Sequence, residues 1–270
     1  ELAIEYEVRL VEDAVLRALR GRPDERVFRK ERDGVYEIDE AEGRETAFRS
    51  CHARWFEQLG LAKPMAQALG ERPVILAHMA RCLVVYASSA SDEGAELFLE
   101  QGEPCGVVVL RLRPETLTLA DRLRPFLRHE LTHIADMLDP HFGYEPRFPE
   151  QTGEPARGRL LRERYRVLWD AFIDGRLARA GWARVGIRQE RLADFARAFP
   201  MLSERRERAF QRFFEGTNLT HAQLAAFAAD PEAALARVMA STRKMRRLRY
   251  LHSRARARML AESDEADKAF

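Results

Sequence analysis

Leu127-Arg128-His129-Glu130-Leu131-Thr132-His133-Ile134-Ala135-Asp136-Met137-Leu138 is the stretch on which the reading of this chain turns. Wound at about 100° per residue, it places Leu127, Leu131, Ile134 and Leu138 on one side of a helix and His129, His133 and Asp136 on the other. A helix with an apolar back and a His-His-Asp front suits the floor of a cleft. His129 and His133 are four residues apart, so their rings project about one turn from each other on one face. Two imidazoles need that spacing to grip one zinc ion. Glu130 points to the side, where it can reach a water beside the ion without becoming a ligand. Zinc brings the pKa of such a water toward about 7, and a carboxylate in reach can then take its proton. One Zn²⁺ per chain is expected.

The sequence on either side differs in texture. Upstream, residues 5–20 read as a helix stopped by Gly21 and Pro23. Asp33-Gly34, between Val27-Phe28 and Val35-Tyr36, reads as a hairpin turn. Residues 45–59 read as a helix facing inward through Phe48, Cys51, Trp55 and Leu59, with Gly60 as its cap. Pro64 to Leu69 reads as a short helix closed by Gly70. Val74-Ile75-Leu76, Cys82 to Tyr86, Glu96 to Leu99 and Gly106 to Leu112 are short β-branched runs that read as strands. From Leu119 onward the signals are helical. Gly181 reads as a C-terminal cap, Thr220 with Gln223 as a capping box, and Asp230-Pro231-Glu232 as a helix start. Strands followed by helices predict an α+β fold with a small mixed or antiparallel sheet in the first half. The expected units are a lobe with the sheet over 1–118, the metal-site helix and a partner helix over 119–188, and a helical region over 189–270. A loop rich in Pro and Gly, about Asp139 to Gly158, separates the two central helices.

The partner helix, about Gly158 to Ala180, is apolar on two sides. One face carries Leu161, Tyr165, Leu168 and Phe172; the other carries Val167, Asp170, Asp174 and Leu177. Such a helix is expected to be buried. Two aspartates inside a buried stripe need a metal, a cation or strong donors, because an uncompensated buried carboxylate costs several kcal/mol.

The segment His129 to His133 resembles the zincin metallopeptidases. The resemblance covers five residues and implies a mixed sheet packed on the active-site helix, an edge strand along the substrate cleft, and a peptide substrate. Gly106 to Leu112, closely preceding the helix, is the strand it points to. Asp170 and Asp174, four apart on a second helix, resemble the gluzincin branch. Carried over by position, Asp170 is the third ligand and Asp174 accepts the outer N–H of a ligating histidine. The gluzincin ligand is Glu, so the shorter Asp asks for closer helices or reversed roles. Asp139 competes, because His129-x3-His133-x5-Asp139 has metzincin spacing. That branch, however, has a Gly where this chain has Asp136, and the Gly lets the backbone bend toward the metal. His141 and His221 are further, weaker candidates. Tyr144 and Arg176 are the candidates to donate to the oxyanion of a tetrahedral intermediate.

Composition is compatible with this reading. The 270 residues are 46% hydrophobic and 33% charged, as in globular chains. No apolar run is long enough for a transmembrane helix, and a net charge of +2 gives no global basic field. Cys51, Cys82 and Cys105 show neither metal spacing nor a closed disulfide framework, as in a reducing compartment. The expected compartment is the cytoplasm, with a removed signal peptide left open because the sequence starts at Glu1. Residues 243–258 are basic, from Arg243 to Arg258, and read as a solvated helix face or a patch for nucleic acid. The expectation is therefore a zinc-dependent hydrolase acting on peptide or protein. The alternative is a non-catalytic binding or regulatory protein on the same scaffold, contacting nucleic acid through the basic helix.

Overall fold

The computed structural model describes residues 2–99, 106–146 and 155–237. Strand β1 (Ala3–Tyr6) leads into helices α1 (Val8–Leu19), α2 (Glu25–Gly34), α3 (Ala41–Gln58), α4 (Lys63–Gly70) and α5 (Pro73–His78). Strands β2 (Met79–Tyr86), β3 (Gly94–Phe98) and β4 (Gly106–Leu112) follow, and then, among the described residues, only helices: α6 (Pro114–Leu117), α7 (Ala120–Leu138), α8 (Pro155–Arg179), α9 (Ile187–Ala198), α10 (Arg206–Phe214) and α11 (His221–Ala229). The sheet runs β1-β2-β4-β3, parallel except for β3, which lies antiparallel on one edge. The fold is α+β, mostly helical, with a small mixed sheet.

Several local readings change. The segment expected as one helix over 5–20 begins as β1, whose Ile4 and Tyr6 pair with Cys82 and Val84 before α1 starts. The hairpin at Asp33-Gly34 does not form. Gly34 closes α2 in right-handed helical geometry, and Phe28 is buried edge-on against His52 and Trp55. Burying that ring outweighs a turn signal of two residues. Val74-Ile75-Leu76 is helical in α5, not a strand, because Pro73 opens a helix at its first turn. Short apolar runs cannot separate the two states by periodicity. Gly106 to Leu112 is the interior strand β4, and the edge position belongs to β3. Elsewhere the local signals hold. Gly60 and Gly181 take positive φ after α3 and α8, and Thr220 and Gln223 make the capping box. Asp230 accepts from the Ala233 backbone N–H at the start of a helix over 231–237.

The apolar residues gather in two cores. The first joins Val84, Val108 and Leu110 of the sheet to α1, α3 and α4 and to the back of α7: Leu123, Leu127, Leu131 and Ile134, all fully buried. The second is aromatic and centres on α8, with Phe195, Phe199, Phe210, Phe213 and Phe227 around it. The expected unit over 119–188 draws on both cores. α7 belongs to the first, α8 to the second, and the two helices meet along the seam. Among the described residues no helix is long and apolar enough to cross a membrane.

Gly175 sets how closely α10 approaches α8. A Cβ there would sit 1.7 Å from the Phe214 carbonyl oxygen and 2.6 Å from its carbon. Backbone cannot yield as a flexible side-chain tip can, so Gly175→Ala must separate the two helices. We expect a loss of about 2–3 kcal/mol, at the upper end for an overpacked core, read as a lowered midpoint in urea unfolding. An unchanged midpoint would mean that α10 is not seated against α8 in this way.

Candidate metal centre

The seam between the cores holds the site. With its leucines committed to the first core, α7 has no rotational freedom, and His129 and His133 turn toward α8. Asp170 and Asp174 come from the opposing face of α8, and both are buried. The eight residues of the two expected faces of that helix are all buried, as its two-sided apolarity requires.

The polar atoms are arranged in a definite order. His129 Nδ1 donates to Asp174 Oδ1 over 2.8 Å, which leaves Nε2 as the free ring nitrogen. That atom lies 3.2 Å from His133 Nε2 and 3.5 Å from Asp170 Oδ1, and His133 Nε2 lies 3.1 Å from the same oxygen. Ligands at about 2.0–2.1 Å in a tetrahedron around zinc stand roughly 3.3–3.4 Å apart. The triangle of His129, His133 and Asp170 matches that spacing, and among the described residues these three form the group able to hold a metal ion. Two ring nitrogens and a carboxylate oxygen at these distances also repel one another unless a cation or a proton lies between them. Burial depresses the basicity of the His129 ring, yet hydrogen bonds and charge from Asp170 and Asp174 outweigh it and raise its pKa to about 10. Burial likewise works against ionising Asp170 and Asp174, and their histidine partners, joined at Asp174 by Arg191, hold both carboxyls well below the usual range. The pocket is thus built around one positive charge.

Further side chains hold this group in place. Arg191 of α9 donates through Nε to Asp174 Oδ2 over 2.5 Å and through a terminal nitrogen to Asp194 over 3.1 Å. Sequence reasoning missed Arg191, which sits in an ordinary amphipathic pattern and meets Asp174 only because α9 folds back onto α8. His133 packs edge-on against Trp169 at 4.4 Å. Trp169 Nε1 donates to Asp136 Oδ2, and Arg176 grips the same carboxylate with two bonds of 2.9 and 2.5 Å. Asp136 is therefore buried between the helices and not on the open front expected for it. Arg176, expected as an oxyanion donor, is engaged by Asp136 and is not among the residues that line the cleft.

The other candidates separate cleanly. Asp139 ends α7 and accepts from the His141 backbone N–H over 2.8 Å, away from the ligand triangle. His141 is exposed. His221 is buried with its Nδ1 2.7 Å from the Tyr165 hydroxyl, as part of an aromatic cluster. Tyr144 stacks on Trp169 at 5.4 Å and lines the cleft, and burial raises its phenol pKa, so the hydroxyl stays protonated and able to donate. Glu130 lines the same cleft, of about 780 Å³, and its Oε2 accepts from the Ala95 backbone N–H of β3 over 3.0 Å. Cys51 and Cys82 are buried free thiols, while Cys105 and the basic segment 243–258 lie outside the described residues.

The chain matches no protein-family model, no curated protein and no solved structure. Its site therefore has to be read from its own chemistry.

That chemistry separates the three aspartates. Asp170→Ala should abolish tight zinc binding, measured by titration against a competing chelator. Asp174→Asn should weaken it by about 10- to 100-fold, the usual size of a loss behind a ligand. Asp139→Ala should leave affinity unchanged. Zinc held as tightly by Asp170→Ala as by the parent would remove α8 from the site.

Proposed function

We propose that this chain is a zinc-dependent hydrolase, and more narrowly a metallopeptidase of zincin type with Asp170 as the third ligand and one Zn²⁺ per chain. The observation that carries the reading is the meeting of His129, His133 and Asp170 at ligand spacing, with the carboxylate of Glu130 opening onto the same cleft. Two imidazoles and a carboxylate also suit iron(II), but a general base one residue from a ligand favours hydrolysis. The shorter aspartate is accommodated because α7 and α8 pack directly on each other.

Zinc bound there would make a water acidic near neutral pH and polarise a carbonyl oxygen. The chain's own groups do the rest. Glu130 takes a proton from the attacking water and delivers it to the departing amide nitrogen. Its bond to Ala95 N–H keeps it over the cleft, and that bond also tells which way β3 faces. The Ala95 N–H points away from β4, so the outer edge of β3 borders the cleft and offers backbone groups to an extended peptide. This supports a peptide over a compact small molecule. Asp174, held by Arg191, fixes the His129 tautomer so that Nε2 faces the ligand triangle. Tyr144 donates to the oxygen on which negative charge develops.

Glu130→Gln keeps size and hydrogen-bonding capacity but removes the base. Zinc content should stay at one per chain while peptide hydrolysis falls by at least about 100-fold, the lower range for general-base catalysis. Full turnover in Glu130→Gln, or stoichiometric iron in place of zinc by elemental analysis, would overturn the reading. Tyr144→Phe should lower kcat by about 100-fold with KM little changed, as for loss of one oxyanion donor. An unchanged kcat would assign Tyr144 to packing on Trp169.

A further inference from the structure

The stripe of α8 that carries the two aspartates continues outward. Arg162, Arg166, Asp170 and Asp174 follow one another at intervals of four, so they share one face of the helix, and all four line the cleft. The inner pair is buried in the metal centre and the outer pair is exposed. Of the other cleft arginines, Arg184 pairs with Glu190 and Arg191 with Asp174 and Asp194, while Arg122 stands on the facing helix α7. Arg162 and Arg166 have no acidic partner among the described residues. Beside them, Tyr144, Tyr165 and Trp169 give the cleft an apolar floor. Two unmatched guanidinium groups over an aromatic floor, on the same helix face as a metal ligand, form a place for a negatively charged group.

Resting on the peptidase reading above, we propose that Arg162 and Arg166 are a specificity subsite for an acidic side chain, so that the substrate is a peptide bearing Asp or Glu near the scissile bond. Along α8 the rise from Asp170 is about 6 Å to Arg166 and about 12 Å to Arg162. An extended peptide advances about 3.4 Å per residue. The acidic residue therefore lies about two to four positions from the bond that is cut. The guanidinium fork matches a carboxylate in two parallel hydrogen bonds, and the aromatic floor carries the stem of a Glu better than that of an Asp. Because both arginines reach solvent, salt screens the attraction.

The test measures binding, so it does not depend on turnover. Zinc-loaded Glu130→Gln protein is titrated into two fluorescein-labelled octapeptides, one alternating Glu with Ala and one alternating Gln with Ala. The Glu peptide should bind about tenfold tighter at 50 mM salt, with the ratio shrinking toward one at 500 mM. Adding Arg162→Gln and Arg166→Gln should collapse the ratio, and adding Arg162→Lys and Arg166→Lys should keep only its charge-dependent part, a smaller ratio that 500 mM salt abolishes. Zinc content and circular dichroism of each variant report whether it has folded. Equal affinity for the two peptides, or a preference for Glu that survives the double Gln change in a folded, zinc-loaded variant, overturns the subsite. If the preference for Glu holds but the parent protein cuts neither peptide nor any acidic peptide in a mixed library, the subsite stands and the hydrolase reading falls.

Discussion

A carboxylate buried between two imidazoles organises this molecule. Asp170 lies in the seam between two hydrophobic cores, where an unpaired charge would cost several kcal/mol. It is tolerable there because His129 and His133 converge on one of its oxygens. The convergence requires α7 and α8 to stand at one distance and one rotation. Leucines and an isoleucine on the back of α7 hold one partner, and the phenylalanine cluster around α8 holds the other. Packing behind the two helices keeps the two imidazoles and the carboxylate within 3.1–3.5 Å of one another.

Two networks transmit that packing to the ligands, and they act on different histidines. Arg191 and Asp174 secure His129 through its outer nitrogen. His133 is braced by the Trp169 ring, which Asp136 and Arg176 hold in turn. Each network joins residues of two or more helices. Each also leaves its buried carboxylate fully engaged, the condition under which buried ionic groups rigidify a site instead of weakening it. Gly175, between Asp174 and Arg176, lets α10 approach from behind, so even the outer layer of the second core bears on the ligand helix.

The sheet contributes an edge. β3 runs against the direction of the three parallel strands, pairs with β4 alone, and is attached to α7 through Ala95 and Glu130. One short contact thereby places the carboxylate, the strand edge and the ligand triangle around a single cleft, which continues along α8 past two exposed arginines. The division is electrostatic: the inner end holds the two buried aspartates beside the histidines, and the outer end presents two arginines to solvent.

The helix over residues 127–138, its two histidines and the burial of Asp170 and Asp174 were legible in the sequence, because each follows from periodicity within one element. An α-helix repeats every 3.6 residues, so the residues sharing a face are a property of the local chain alone. The capping box at Thr220 was legible for the same reason. β1, the helical state of Val74 to Leu76 and the absence of a hairpin at Gly34 were not, since short segments take their state from what they pack against: Tyr6 from β2, Phe28 from α3. The tertiary structure alone brought Asp170, and not Asp139, beside the two histidines, turned Asp136 inward onto Trp169 and Arg176, supplied Arg191, and put β3 rather than β4 at the edge. All of these depend on the distance and rotation between separate elements. Those quantities are set by side-chain packing between segments far apart in the chain, and no periodicity within one segment encodes them.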